Sequence, residues 1–109
     1  MKQLTHFTMP VAIGYDLDNV LRVEFLFKQY QTPEAPALKS CVWESDGSGE
    51  GVREEGRDVI DLTWTPEETA LFQPDEWFYM DTRLSLVNSL DNPATSVVAL
   101  KMTPTLFKE

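Results

Sequence analysis

The sequence predicts an all-β domain, a small antiparallel sandwich over residues 1–109 with one short helical turn near residues 65–72. Three observations carry this. Several short segments alternate apolar and polar residues with a period of two, the mark of half-buried strands. Clusters of Gly, Pro, Asn and Asp separate them at regular intervals. Only one place carries the start signals of a helix, and a proline follows it closely. Five or six strands with regularly spaced turns form a sandwich more readily than any other architecture.

Leu4 to Ile13 alternates loosely and contains Pro10, which suits an edge or bulged strand because proline cannot donate to a ladder. "GYDLDN" (Gly14 to Asn19) is turn chemistry. "VLRVEFLFKQY" is the clearest strand, with Leu21, Val23, Phe25 and Phe27 on one face and Arg22, Glu24 and Lys28 on the other. "QTPEAPA" holds two prolines and must be a connection. "LKSCVWE" follows as a strand with Leu38, Ser40 and Val42 opposing Lys39, Cys41 and Trp43. "SDGSGEGVREEG", with four glycines, reads as a long polar and mobile loop.

"DVIDLTW" alternates Ile60, Leu62 and Trp64 against Asp58, Asp61 and Thr63, with Val59 on the polar side. Thr65, Pro66 and Glu68 then form a capping box: Thr at the N-cap, Pro at the first helical position, Glu three residues past the cap. Pro74 keeps the helix short, and Ala70, Leu71 and Phe72 are placed to plug the end of the sandwich. "WFYMDTRLSLV" puts Phe78, Met80, Thr82, Leu84 and Leu86 on one face, and Trp77, Tyr79, Asp81, Arg83 and Ser85 on the other. After the turn cluster "NSLDNPAT", "SVVALKMT" returns as a strand with Val98, Leu100 and Met102 together, forming a hairpin with its predecessor.

Composition narrows the function. The chain is 42% hydrophobic and 25% charged, the balance of a globular domain. Its net charge of −9 disfavours nucleic acid and anionic membranes, both of which need Lys/Arg clusters, and favours solubility or a basic partner. No apolar run is long enough to span a membrane, and "MKQLTHFTMPVAIG" lacks the apolar core of a signal peptide, so a soluble protein is expected. With one cysteine there is no internal disulfide, and Cys41 reads as a small buried hydrophobe, compatible with a reducing cytoplasm.

The residues of an enzyme are missing. One histidine (His6) and one cysteine make no zinc site, and no serine sits in a strand-to-helix elbow. "DGSGEG" lacks the lysine and helix of a phosphate loop. The carboxylates crowded between Glu44 and Asp61 depart from the spacing of a calcium loop, and a solvated acidic edge accounts for them. Glu67, Glu68, Asp75 and Glu76 bracket the helical turn, where acids are favoured by the dipole. No catalytic residue, cofactor or metal is therefore assigned. Trp77 and Tyr79, opposite the apolar ladder, are the candidate contact residues, because aromatics outside a core are enriched at interfaces. Leu106 and Phe107, apolar residues in "TPTLFKE", join them.

The assembled pattern resembles a family of small β-sandwich proteins encoded by phages and prophages of Firmicutes, described as virion structural, tail- or baseplate-associated proteins. "HFTMPVAIGYDLDNVLRVEFLFKQ" is similar to that family's opening, a short strand ending in Pro, a loop, and a strand closing on an aromatic-Lys-Gln triplet, here Phe27, Lys28 and Gln29. "LTWTPEETALF" is similar to its Leu-Thr-x-x-Glu-Glu-Thr signature, carried by Leu62, Thr63, Glu67, Glu68, Thr69 and Leu71 with one extra residue of spacing. "WFYMDTRLSLVNSLDNPATSVVALKMTPTLF" looks like its terminal hairpin and closing segment. Two turns depart from the pattern: "QPDE" stands where a Gly-containing turn is common, and "DNPA" where Asp-Gly or a similar pair is usual. The resemblance implies an immunoglobulin-like sandwich that assembles in the cytoplasm and resides in a virion, with other virion or tail proteins and further copies of itself as partners. The alternative expectation is a free-standing carbohydrate or cell-surface ligand-binding module, with Trp43, Trp77 or Tyr79 lining an open groove.

Overall fold

The computed structural model describes residues 6–87 and 97–101. Within them the strands are β1 (Phe7–Ala12), β2 (Val20–Lys28), β3 (Ala37–Glu44), β4 (Val52–Arg53), β5 (Val59–Trp64), β6 (Trp77–Leu86) and β7 (Val97–Lys101). A 3-10 turn at Leu17–Asn19 precedes β2, and the single α-helical turn α1 is Pro66–Thr69.

The strands form two antiparallel sheets, β1-β5-β4 and β3-β2-β6-β7. This is the immunoglobulin-like arrangement: β1, β5 and β4 take the places of strands B, E and D, and β3, β2, β6 and β7 those of C′, C, F and G. The expected hairpin partners β6 and β7 are paired, Phe78 opposite Leu100. The turn cluster that joins them, together with Leu4, Met102, Leu106 and Phe107, lies outside the described residues.

The inner faces of both sheets meet in one core, with Val23, Phe25 and Phe27 of β2 and Phe78 and Met80 of β6 facing Ile60, Leu62 and Trp64 of β5. Trp64 organises one end of it. Phe27 meets its ring edge-on at 4.9 Å, Phe72 lies at 5.7 Å, and Phe7 stacks on it at 6.0 Å. Phe72 in turn contacts Phe78 at 4.6 Å, so the residue just beyond α1 closes the sandwich. Aromatic pairs at these separations add to what area burial alone provides.

The capping box is formed as read: the Thr65 hydroxyl accepts the Glu68 N–H at 3.2 Å, and Glu68 Oε1 accepts the Thr65 N–H at 2.9 Å. Of the residues expected to plug the sandwich, only Phe72 does so. Ala70 and Leu71 face solvent, and the inward place is taken by Thr69, because a single turn exposes most of its circumference.

Leu21 is a second correction. It is 47% exposed, and Val20 points inward in its stead. The β2–β6 register slips between Val20 and Arg22, so one residue is extra there and the period of two restarts after it. The segment expected to be one mobile loop is a turn followed by the short strand β4, which pairs with β5 at Val52–Asp61 and Arg53–Ile60. Val59, on the polar side of its strand, is nonetheless buried opposite Ala12.

Candidate functional site

The alternation that buries Val23, Phe25 and Phe27 turns Arg22, Glu24, Leu26 and Lys28 outward. The β6 residues Trp77, Tyr79, Asp81 and Arg83 lie beside them in register. Lys28 opposes Tyr79, Leu26 opposes Asp81, and Glu24 opposes Arg83. The outer face of the four-stranded sheet is thus aromatic toward α1 and charged toward the other end. Two of the four expected contact residues sit on it, Trp77 at 55% exposed and Tyr79 half-buried, while Leu106 and Phe107 lie outside the described residues. Leu26, partly exposed, and Tyr30, 60% exposed, extend the patch, though neither was singled out from the sequence. Their signal was available in principle, since Leu26 falls on the polar side of the strongest strand and Tyr30 in the connection after it.

A groove of about 380 Å³ crosses this face, walled by Leu26, Tyr30, Tyr79, Asp81 and Arg83 and by the backbone after Tyr30. Its wall is fixed from below by Gln29, a buried polar residue. The Gln29 Nε2 donates to the Trp77 carbonyl at 2.8 Å, and its Oε1 accepts the Gln73 N–H at 2.9 Å. One side chain therefore ties the end of β2, the segment after α1 and the start of β6 together. Lys28 Nζ lies 3.4 and 3.3 Å from the carbonyls of Thr32 and Pro33, drawing the connection over the sheet. Both residues of the Lys-Gln pair that closes β2 position the aromatic patch.

Two of the four sheet edges, those of β1 and β3, are less available. Ile13 donates its N–H to Asp58 at 3.0 Å, so by alternation the imide nitrogen of Pro10 points away from β5, to the open side of β1. On β3 the Val42 N–H is accepted by the Glu50 carboxylate at 2.9 Å, and the Val42 carbonyl accepts the Gly51 N–H at 3.1 Å. The chain after β3 thus covers its own edge, where a stranger could otherwise pair. Only glycine permits that approach at residue 49, where a Cβ would lie 2.4 Å from the Val42 oxygen.

Trp43, named for the ligand-binding alternative, is 7% exposed and faces the core, because its pairing with Val23 sets it on the inward side of β3. Cys41 is likewise inward, and burial pushes its thiol up to about 11, against the nearby Lys39 charge. His6 is exposed just before β1. The acidic segment is locally engaged: Glu44 pairs with Arg22 at 2.7 Å, Asp46 accepts from Ser48, Glu54 pairs with Arg57 at 2.7 Å, and Asp58 accepts from Leu17 and Arg53. Among the described residues no three His, Cys, Asp or Glu are placed to share a metal ion. No described helix is long and apolar enough to cross a membrane.

The residue least visible in the sequence is Lys39. It is buried on the inner side of β3, with Nζ 2.6 Å from Glu68 Oε2, 3.1 Å from the Thr63 carbonyl and 5.0 Å from the centre of the Trp64 ring. Burial alone would raise the Glu68 carboxyl. The hydrogen bonds from Lys39 and from the Thr65 N–H outweigh it and hold the group below its ordinary value.

No family model matches the sequence, and no curated protein matches it. Among solved structures, the chain is similar to the extracellular domain of the voltage-gated sodium channel beta4 subunit, a protein described as forming parallel homodimers that explain its role in cell–cell adhesion. The two share 8% identity at a TM-score of 0.45, over 96% of this chain and 88% of that one. At that overlap it is a likeness in outline, and nothing about this chain's contacts is taken from it.

Proposed function

We propose that this domain is a non-enzymatic structural or assembly component of a phage-like particle and that it acts through protein–protein contacts. The observation that carries the contact part is the outer face of the β3-β2-β6-β7 sheet, where Leu26, Tyr30, Trp77 and Tyr79 lie together and outward. A concentrated aromatic patch of this kind has the composition of an interface centre. The dressed edges at Pro10 and Val42 favour docking through a face over strand addition. What supports the particle part is the resemblance of the order of segments to that of the virion β-sandwich family, from the Phe27-Lys28-Gln29 triplet to the Glu67-Glu68-Thr69 signature. The domain would then assemble in the cytoplasm beside other virion or tail proteins. The test is twofold. The DNA flanking the gene should encode tail, capsid or packaging proteins, and particles induced from the source strain should contain the chain by mass spectrometry. Flanks of metabolic or transport genes, with particles lacking the chain, would remove this reading.

A second reading is favoured by the groove itself. Tyr30 and Tyr79 present ring surface beside Asp81 and Arg83, an arrangement of flat apolar area and polar rim suited to a sugar. In this reading the domain is a carbohydrate or cell-surface ligand-binding module. A glycan array with specific binders that Tyr79→Ala abolishes would establish it, and an empty array would end it.

A further inference from the structure

We infer that the partner docks at the α1 end of the sandwich and brings a basic segment, in which one large apolar side chain is flanked by Lys or Arg. This deepens the protein-contact reading above, on which it rests, and names the chemistry of the partner.

The seat of the apolar side chain is a second hollow, of about 200 Å³, that shares Tyr30 with the groove. Pro36, Leu38 and Leu71 wall it beside Tyr30, and Gln29 and Gln73 complete it, so its lining is mostly apolar. It is smaller than the cavities that take a whole small molecule, and suits a single side chain. Tyr30 and Leu71 leave 60% and 52% of their surface in water, area that an inserted side chain would cover. The hollow is already formed, because the buried Gln29 accepts the Gln73 N–H at 2.9 Å and fixes two of its walls together. Little order is then lost on docking, and an apolar anchor in a preformed pocket carries much of the energy of an interface.

Charge selects what flanks that anchor. The hollow is built from two stretches of chain, residues 29–38 and 65–78. They hold Glu34, Glu67, Glu68, Asp75 and Glu76, and no Lys or Arg. Glu68 is taken by Lys39. The other four are exposed, and none has a cation or a hydrogen-bond donor among the described residues. The adjoining cations are Lys28, drawn to the carbonyls of Thr32 and Pro33, and Lys101, opposite Trp77 in register. Four carboxylates against two lysines leave the rim negative.

The opposite end of the molecule is also rich in acids, but its own arginines hold them. Arg22 is on Glu44, Arg53 on Asp18 and Asp58, and Arg57 on Glu54. What the α1 end offers instead is unpaired carboxylates beside an apolar seat. An acidic segment would meet like charge at every flank, whereas Lys or Arg would be steered in and oriented. An apolar centre with a polar, charged rim is the usual anatomy of an interface.

The test is fluorescence anisotropy of three labelled peptides against the whole chain. They are Arg-Lys-Phe-Lys-Arg, the same peptide with Gly in place of Phe, and Glu-Glu-Phe-Glu-Glu. The first should bind, with an affinity that falls as sodium chloride is added; the glycine peptide should bind roughly tenfold more weakly and the acidic one not at all. Leu71→Gln should weaken the first peptide roughly tenfold, and Glu67→Gln/Glu76→Gln should weaken it and flatten its salt dependence. Val52→Gln, at an exposed position on the other sheet, should leave binding unchanged. Leu71, Glu67 and Glu76 are exposed, so the fold should survive these changes. Should Leu71→Gln disturb α1 by circular dichroism, the glycine peptide asks the same question from the ligand's side. No binding of the first peptide, equal binding of the glycine peptide, or indifference to both variants overturns the inference. Any of these with the chain present in purified particles leaves the assembly reading standing. The expected pattern in a chain absent from particles does the reverse.

Discussion

Lys39 and Glu68 form an unequal pair, and the inequality predicts how each responds to removal. The Lys39 side chain is nearly inaccessible, whereas Glu68 keeps about a third of its surface in water. Glu68→Ala leaves Lys39 Nζ buried with only the Thr63 carbonyl and the Trp64 ring, and also takes away half of the capping box. It should cost about 2–3 kcal/mol in urea unfolding. Lys39→Met fills the same space and frees a carboxylate that can turn to solvent, so its cost should be about 1 kcal/mol or less. Equal losses would mean that the pair is not what holds α1 to β3. Because the Glu68 carboxyl is held below its ordinary value in the fold, its contribution is present above the ordinary carboxylate range and fades as pH falls through that lowered value. Cys41, with its thiol raised to about 11 by burial, should resist iodoacetamide at mildly alkaline pH and react only as fast as the domain opens. Labelling at the rate of a free thiol would contradict the inward placement. The alternation of β3 was legible, but which side faced in was not. Leu38 and Val42 lie on one side, Cys41 and Trp43 on the other, and only the pairing of Phe25 with Cys41 decides it.

Turns and edges set the elements, and two single substitutions probe them. Gly49→Ala would drive a Cβ against the backbone oxygen of Val42, an atom that cannot swing aside. The loop after β3 must then lift from the edge, loosening the Glu50 and Gly51 bonds, and the expected loss is about 2 kcal/mol with an increase in aggregation on heating. Asp75 is the opposite case. It adopts φ 62°, in the left-handed region, within the "QPDE" turn. Asp75→Gly removes the Cβ penalty there and should stabilise by about 0.5–1 kcal/mol in the same unfolding assay, and a destabilisation would indicate that the side chain holds the turn. Elements with strong local chemistry were legible: the capping box at Thr65, the ladder of β6, the edge position of the Pro10 strand. Leu21 was not, because a bulge depends on the partner strand, which no local pattern contains. Nor was β4, two residues that become a strand only through their pairing with β5.

For the molecule as a whole the governing quantity is its net charge of −9. The Greek-key order of the sheets could not be read from strand patterns alone, and neither could the clustering of Tyr30, Trp77 and Tyr79. Both depend on which strands lie side by side. The charge, by contrast, was plain from composition and makes a prediction of its own. Self-repulsion disfavours the compact state at neutral pH, and salt screens it. Salt also weakens the exposed pairs Arg22–Glu44, Arg53–Asp18 and Arg57–Glu54, but such pairs are individually worth little. Screening of repulsion should therefore win, so the melting midpoint at pH 7 rises with added sodium chloride. Lowering the pH removes charge directly and should raise the midpoint further, until Glu68 and other carboxylates bound in the fold begin to protonate. Below that point the unfolded chain takes up protons more readily than the native one, and stability falls. The optimum should lie at about pH 5 to 6, with the salt effect shrinking as it is approached. Thermal melts over a grid of pH and salt, at one fixed protein concentration, check the whole pattern. A midpoint that falls with salt at pH 7 would mean that local ion pairs outweigh the global field.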